Sequence, residues 1–191
     1  LEAFNHLKKN KNILITGPAG TGKSKIIESF FKYAKNDIKY YQKGSIVKTS
    51  TTGSSAFLIG GYTLHSYLGI GLGKSDVKTM VSNIRKNKTI RERWINLKTL
   101  IIDEISMLSA ELFDKLEEIA RIIRKNQMFV FGGIQVVMVG DFCQLPIINS
   151  DKFCFQSKGK RFYFGSFLND DDKLILKNEL KRIINQLNTL S

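Results

Sequence analysis

Asn12-Ile13-Leu14-Ile15-Thr16 runs straight into Gly17-Pro18-Ala19-Gly20-Thr21-Gly22-Lys23-Ser24, and the helix-forming stretch Lys25 to Tyr33 follows. A branched aliphatic strand, a glycine-rich turn and a helix in this order make the G-x-x-x-x-G-K-S phosphate loop. Glycines let the backbone curl so that successive N–H groups point inward at phosphate oxygens, and the helix start adds its positive dipole end. Lys23 is expected to reach the β- and γ-phosphates of a nucleotide, and Ser24 to offer its hydroxyl to Mg²⁺. The alternative is a glycine-rich turn that binds nothing. The four fixed positions match by chance in a chain of this length about 1% of the time or less, which decides for nucleotide binding.

Outward from the loop, short β-type runs alternate with segments of helical period, the pattern of a parallel sheet with crossover helices. Ser45 to Thr49, Leu100 to Ile102 and Ile134 to Val139 read as further strands, nearly continuous in branched aliphatics and so buried on both faces. Lys173 to Leu176 is expected to close the sheet. Between Ser109 and Lys125, Leu112, Leu116, Ile119 and Ile123 recur at helical spacing, with Ser109 as N-cap and Glu111 in the first turn. Ser150 to Asp172, rich in Phe, Gly and Lys, shows no clear period. With two prolines, Pro18 and Pro146, and no linker or repeat, residues 1–191 are expected to form one α/β domain of the P-loop NTPase class.

Asp103 and Glu104 close the Leu100 to Ile102 run, where a parallel sheet presents its ligand edge. Asp103 there can hold Mg²⁺, and Glu104 can orient and deprotonate the water that attacks a γ-phosphate. A solvated turn is the competing reading of such a pair taken alone. The next strand ends in Gly140-Asp141-Phe142-Cys143-Gln144-Leu145-Pro146, and the amide of Gln144 can donate to phosphate and accept from water.

Together, Gly17 to Ser24, Leu100-Ile-Ile-Asp-Glu-Ile-Ser-Met-Leu108, Ser109 to Leu116, Phe131-Gly-Gly-Ile-Gln135 and Gly140 to Pro146 resemble the PIF (petite integration frequency) DNA helicases. These are a RecD-related branch of helicase superfamily one. The resemblance covers nearly the whole chain and implies the first of two RecA-like domains of an enzyme that hydrolyses ATP, with Mg²⁺, to move 5′ to 3′ on single-stranded DNA. It implies that Gln144 couples γ-phosphate state to DNA. It also implies that Thr52, Gly53, Thr63 and His65, within Thr51 to Ala56 and Thr63 to Ser66, contact the strand. Hydroxyls and backbone N–H groups suit that task because they bind phosphates without reading bases. Roles in DNA repair, recombination and telomere maintenance, and a nuclear or mitochondrial location in a eukaryote, follow from the same resemblance. So does a monomer acting on single strands or forks.

The match has gaps. No Gln precedes Gln42, so the family's upstream adenine-contacting glutamine has no counterpart, and Asn185 stands where an arginine is expected, with Arg182 nearby. The second domain and its finger arginine are not found within these residues. The chain alone is therefore expected to bind nucleotide weakly and hydrolyse it slowly. His65 reads equally well as a buried, hydrogen-bonded histidine. Trp94 and the phenylalanines at 153, 155, 162, 164 and 167 could stack bases, although such residues are more often core.

Composition narrows the partners. Residues 1 to 98 hold 18 Lys/Arg against 5 Asp/Glu, while residues 99 to 191 hold 12 of each, so the whole net charge of +13 sits in the first half. Arg85, Lys86, Lys88, Arg91, Arg93 and Lys98 crowd one segment against Glu92, which suits either a polyanion or a solvated helical face. Cys143 and Cys154, with His6 and His65, lack zinc-ligand spacing, and two cysteines suit a reduced, intracellular setting. No apolar run approaches the ~20 residues of a membrane span. Two other functions compete with the helicase: a P-loop ATPase acting on something other than nucleic acid, and a truncated, inactive module that only binds single strands.

Overall fold

A computed structural model describes residues 2–40, 42, 44–142 and 154–156. Strands β1 (Ile13–Thr16), β2 (Ile46–Ser50), β3 (Tyr62–Thr63), β4 (Thr99–Asp103) and β5 (Gln135–Gly140) form one sheet in the order β1-β5-β4-β2-β3. All four pairings are parallel, with Ile15 beside Val139, Ile101 beside Val137 and Ser50 beside Asp103. A parallel sheet brings the C-terminal ends of its strands to one edge. Here that edge carries Thr16, Gly140, Asp103, Ser50 and Thr63.

Alternation along the strands divides the core into two layers. Leu100, Ile102, Val136 and Met138 face one layer, and Ile101, Val137 and Val139 the other. The second layer is closed by α1 (Glu2–Lys8) and α2 (Lys23–Lys35) through Leu7, Ile27, Phe30 and Ala34. Helices α4 (Leu64–Leu68), α5 (Val77–Lys86), α6 (Lys88–Asn96) and α7 (Ala110–Arg124) cover the first. The short α3 (Gly53–Leu58) follows β2 directly. This is the expected α/β arrangement with helices on both faces, and the four strands expected before residue 140 are present to within a residue or two.

Helix α7 shows how the sequence sets the packing. Ser109 Oγ accepts from Leu112 N at 3.2 Å and starts the helix, while Lys125 stops it in the left-handed region at φ 52°. Leu116, Ile119 and Ile123 are buried beneath it, each contributing about 1.5–3 kcal/mol of burial. Leu116→Ala would remove ~2–5 kcal/mol. Its polar side is also occupied: Arg121 pairs with buried Glu117 at 2.8 Å, and Glu117 Oε1 accepts from Phe131 N at 3.2 Å. Arg124 donates to the carbonyls of Trp94, Ile95, Leu97 and Gly132 at 2.7–2.9 Å, tying α6 and the turn before β5 to one guanidinium. Gly132 sits at φ 58°, where an added Cβ would lie 2.8 Å from Ala120 O. The Phe131-Gly-Gly-Ile-Gln135 stretch is thus a packing element.

The structure adds a fifth strand and decides between the two readings of Trp94. Strand β3 was not foreseen: two residues at a sheet edge are too short to show a period. Trp94 is no stacking platform, because it is 0% exposed and its Nε1 donates to Leu68 O at 2.9 Å. Cys154 is likewise buried, its thiol directed at Ile105 O. The expected strand Lys173 to Leu176, the phenylalanines at 153, 162, 164 and 167 and the side chain of Phe155 lie outside the described residues, as do Gln144, Arg182 and Asn185.

Candidate nucleotide site and its neighbours

The loop between β1 and α2 owes its shape to glycine. Gly20 and Gly22 adopt φ 80° and 87°, conformations that cost other residues strain, and an added Cβ on either would meet no atom within 4 Å. Gly22 caps α2 without a side-chain bond, and no acidic residue occupies the first helical turn. The positive end of the helix therefore faces an open cradle. Lys23 Nζ donates to the carbonyls of Gly17 and Pro18, the latter at 2.8 Å, and Thr21 Oγ1 donates to the same Pro18 oxygen at 2.8 Å. The loop thus holds its own lysine ready at the cradle wall.

Ala19, Gly20, Gly22, Lys23 and Ser24 line a cleft of about 430 Å³ together with Asp103, Glu104, Gly140 and Asp141. Strand order explains the meeting: β1, β5 and β4 are adjacent, so their C-terminal ends converge. Asp103 Oδ1 accepts from Glu104 N at 3.0 Å, which fixes the carboxylate at the strand end. Glu104 follows with φ 54° and ψ 43°, a left-handed conformation that costs a non-glycine residue of order 1–3 kcal/mol. Burial first, and then the charges of Asp103 and Asp141, raise the Glu104 carboxyl above its ordinary value, while Lys23 opposes them. A carboxylate made more basic in this way is a better proton acceptor.

The expected Mg²⁺ ligands also fit. Ser24 and Asp103 border both this cleft and a second cavity of about 470 Å³, lined further by Lys48, Leu58 and Ile59. One hydroxyl and one carboxylate form the sparse donor set that suits a cation held mostly by nucleotide phosphates and water.

The four residues expected to contact a strand lie along the same edge. Thr52 caps α3, its Oγ1 accepting from Ser55 N at 3.2 Å, and exposed Gly53 begins that helix. Thr63 caps α4, accepting from Ser66 N at 3.3 Å, and His65 is half-buried in the first turn of that helix. Desolvation lowers the His65 pKa and favours the neutral ring.

Sequence reasoning missed three contributors. Ser55 Oγ donates to Asp103 Oδ2 at 3.3 Å, and only the fold brings these residues together, 48 positions apart. Thr51 adds two bonds, N to Asp103 O at 3.3 Å and Oγ1 to Glu104 O at 3.1 Å. Asp141, 6% exposed, closes the cleft just past β5; its place one strand over from Asp103 was a readable signal. Phe57 and Tyr62, 86% and 56% exposed, also present rings on the segment between the capping residues Thr52 and Thr63.

Comparison with known proteins agrees with this geometry. A family model described as PIF1-like helicase matches residues 2–160. The chain is 53% identical over 142 residues to protein 030L of Invertebrate iridescent virus 6, covering 73% of this chain and 26% of the viral protein. It is 47% identical over 152 residues to the ATP-dependent DNA helicase PIF1 of Saccharomyces cerevisiae, covering 77% of this chain and 17% of the yeast protein. The crystal structure of Pif1 helicase from Candida albicans superposes with a TM-score of 0.79 at 38% identity, over 88% of this chain and 37% of that one. The chain thus spans about a quarter or less of the length of these two curated relatives. With the phosphate loop, the strand-end carboxylates and the family model all falling on the same residues, the chain belongs to the PIF1-like helicase family.

Proposed function

We propose that the chain is the first RecA-like motor domain of a DNA helicase that couples ATP hydrolysis to 5′ to 3′ movement on single-stranded DNA. The observation that carries this is the convergence of the Gly17–Ser24 loop, Asp103 and Glu104 on one cleft, with the Thr52-capped helix joined to Asp103 through Ser55. Bound ATP takes the place of the loop carbonyls as partner of Lys23, whose ammonium then neutralises phosphate charge. Ser24 and Asp103 would hold Mg²⁺, which would supply charge neutralisation on the phosphate oxygens. Glu104 accepts the proton of the attacking water, and Gln144 senses the γ-phosphate.

Thr52, Gly53, Thr63 and His65 take the phosphates of the strand, with the rings of Phe57 and Tyr62 available for bases. Movement needs strand affinity to change with nucleotide state. The Ser55–Asp103 bond provides a direct route for that coupling. The protein acts as an intracellular monomer on single strands and forks, in genome maintenance. Unwinding by the full-length protein tests the reading. A duplex with a 5′ single-stranded tail should open with ATP and Mg²⁺ while one with a 3′ tail stays closed, and the reverse preference would refute the direction. ATP hydrolysis indifferent to DNA would instead favour a P-loop ATPase with another target.

A further inference from the structure

Only part of the basic excess of the first half, Lys23 and Lys25, lines the nucleotide cleft. Lys78, Arg85 and Lys86 recur along one face of α5 and border a groove of about 450 Å³ floored by Val81 and Ile122. Lys88 and Arg91 continue the run on α6, beyond the Asn87 turn. All five side chains are exposed. The ion pairs among the described residues, Lys32–Glu28, Lys115–Glu111 and Arg121–Glu117, use none of them. Glu92 is the single acid in the two helices.

A one-sided polar face can be merely solvated, but two observations point further. The first is anchorage to the strand-contacting region. Arg93 donates to Tyr67 O at 3.2 Å and lies 5.1 Å from the Tyr67 ring centre, and Trp94 bonds Leu68 O. Ile90 fills the space beside Gly69, where an added Cβ would meet it at 2.4 Å. The basic face is therefore fixed to α4, the helix that Thr63 opens. The second is what the face lacks. Trp94 is the one aromatic residue of α5 and α6, and it is buried. Single-strand surfaces combine cations with stacking rings, and the exposed rings among the described residues lie elsewhere, Phe57 and Tyr62 on the Thr52–Thr63 segment and Phe129 in the turn after α7. Cations and hydroxyls without rings suit a paired backbone, which carries one charge per ~1.7 Å of axis and hides its bases.

We propose that the α5–α6 face is a second nucleic-acid surface that takes the sugar–phosphate backbone of duplex DNA, separate from the single-strand contacts. It rests on the helicase reading above. The test is a salt series of binding by the full-length protein to a fully paired duplex and to oligothymidylate. It compares the wild type with a variant combining Lys78→Gln, Arg85→Gln, Lys86→Gln, Lys88→Gln and Arg91→Gln.

Each lost duplex phosphate contact removes ~0.9 from the log–log slope, so the duplex slope should fall by about 3 or more while the oligothymidylate slope holds. Equal losses on both, or none on either, would overturn the proposal. A second variant keeping charge, Lys78→Arg, Lys86→Arg and Lys88→Arg, should retain the duplex slope, and losing it would show that charge is not the cause. ATP hydrolysis stimulated by oligothymidylate, read in the same preparations, should be unchanged in both variants. Its absence from the wild type would sink the helicase reading, whereas a duplex slope that does not move sinks only this one.

Discussion

Ser55 Oγ donates to Asp103 Oδ2 across 3.3 Å, so the helix that follows β2 is bonded to the carboxylate at the end of β4. Asp103 borders the nucleotide cleft and Thr52 heads the helix that carries Ser55, which makes this bond a link from the strand-contacting helix to a cleft carboxylate. A hydrogen bond to a charged group contributes about 1.5–3 kcal/mol. Ser55→Ala should therefore cut the stimulation of ATP hydrolysis by single-stranded DNA about tenfold, with the DNA-free rate nearly unchanged. Steady-state ATPase assays with and without oligothymidylate check this. Equal loss in both would make Ser55 a support of the cleft alone.

Glu104 combines a left-handed backbone with a carboxyl made more basic by burial and by Asp103. Glu104→Gln keeps the shape and removes the proton acceptor. Nucleotide affinity, measured by titration with a fluorescent ATP analogue, should be retained while hydrolysis slows by about 10²–10⁴. Loss of binding in step with hydrolysis would assign Glu104 to the structure of the loop.

Trp94 is the only tryptophan in the chain and is fully buried. Its fluorescence in this chain should therefore be blue-shifted, insensitive to added single strands, and red-shifted on unfolding. Quenching by oligothymidylate would contradict its burial. Trp94→Ala should cost about 3–5 kcal/mol in a denaturant titration. Trp94→Phe should still cost ~1–3 kcal/mol, because Leu68 O loses its donor.

His65 supplies a pH prediction. Its folded pKa lies below the ordinary value because burial disfavours the charged ring. Between that folded value and about 6.5 the unfolded chain binds a proton that the native chain does not. The His65 contribution to stability is thus complete above about pH 6.5, declines as pH falls below it, and levels off below the folded pKa. Replacing it by Gln should flatten that part of the stability profile, measured by urea unfolding from pH 7.5 to 5.5. An unchanged slope would place the pH sensitivity elsewhere.

Much of this was legible in the sequence because it is local. Strand, glycine turn and helix are contiguous around Lys23, and the period of α7 and its Ser109 cap declare themselves within a few residues. The Asp103-Glu104 pair could be placed because a parallel sheet gathers its strand ends. What escaped depends on distance or on burial. Ser55 meets Asp103 only once β2 pairs with β4, Trp94 is told from a stacking residue only by its burial and its bond to the Leu68 carbonyl, and β3 is too short for alternation to show.

Lys23 and the strand-end carboxylates are proposed to form one ATP-hydrolysing site answering to single-stranded DNA. ATP turnover by the full-length protein with saturating oligothymidylate, wild type against Lys23→Ala, tests it most directly. A robust, DNA-dependent rate is expected in the wild type and a loss of at least about 10²-fold in the variant, the scale of removing one charge-stabilising group. An unchanged DNA-stimulated rate in Lys23→Ala would contradict it.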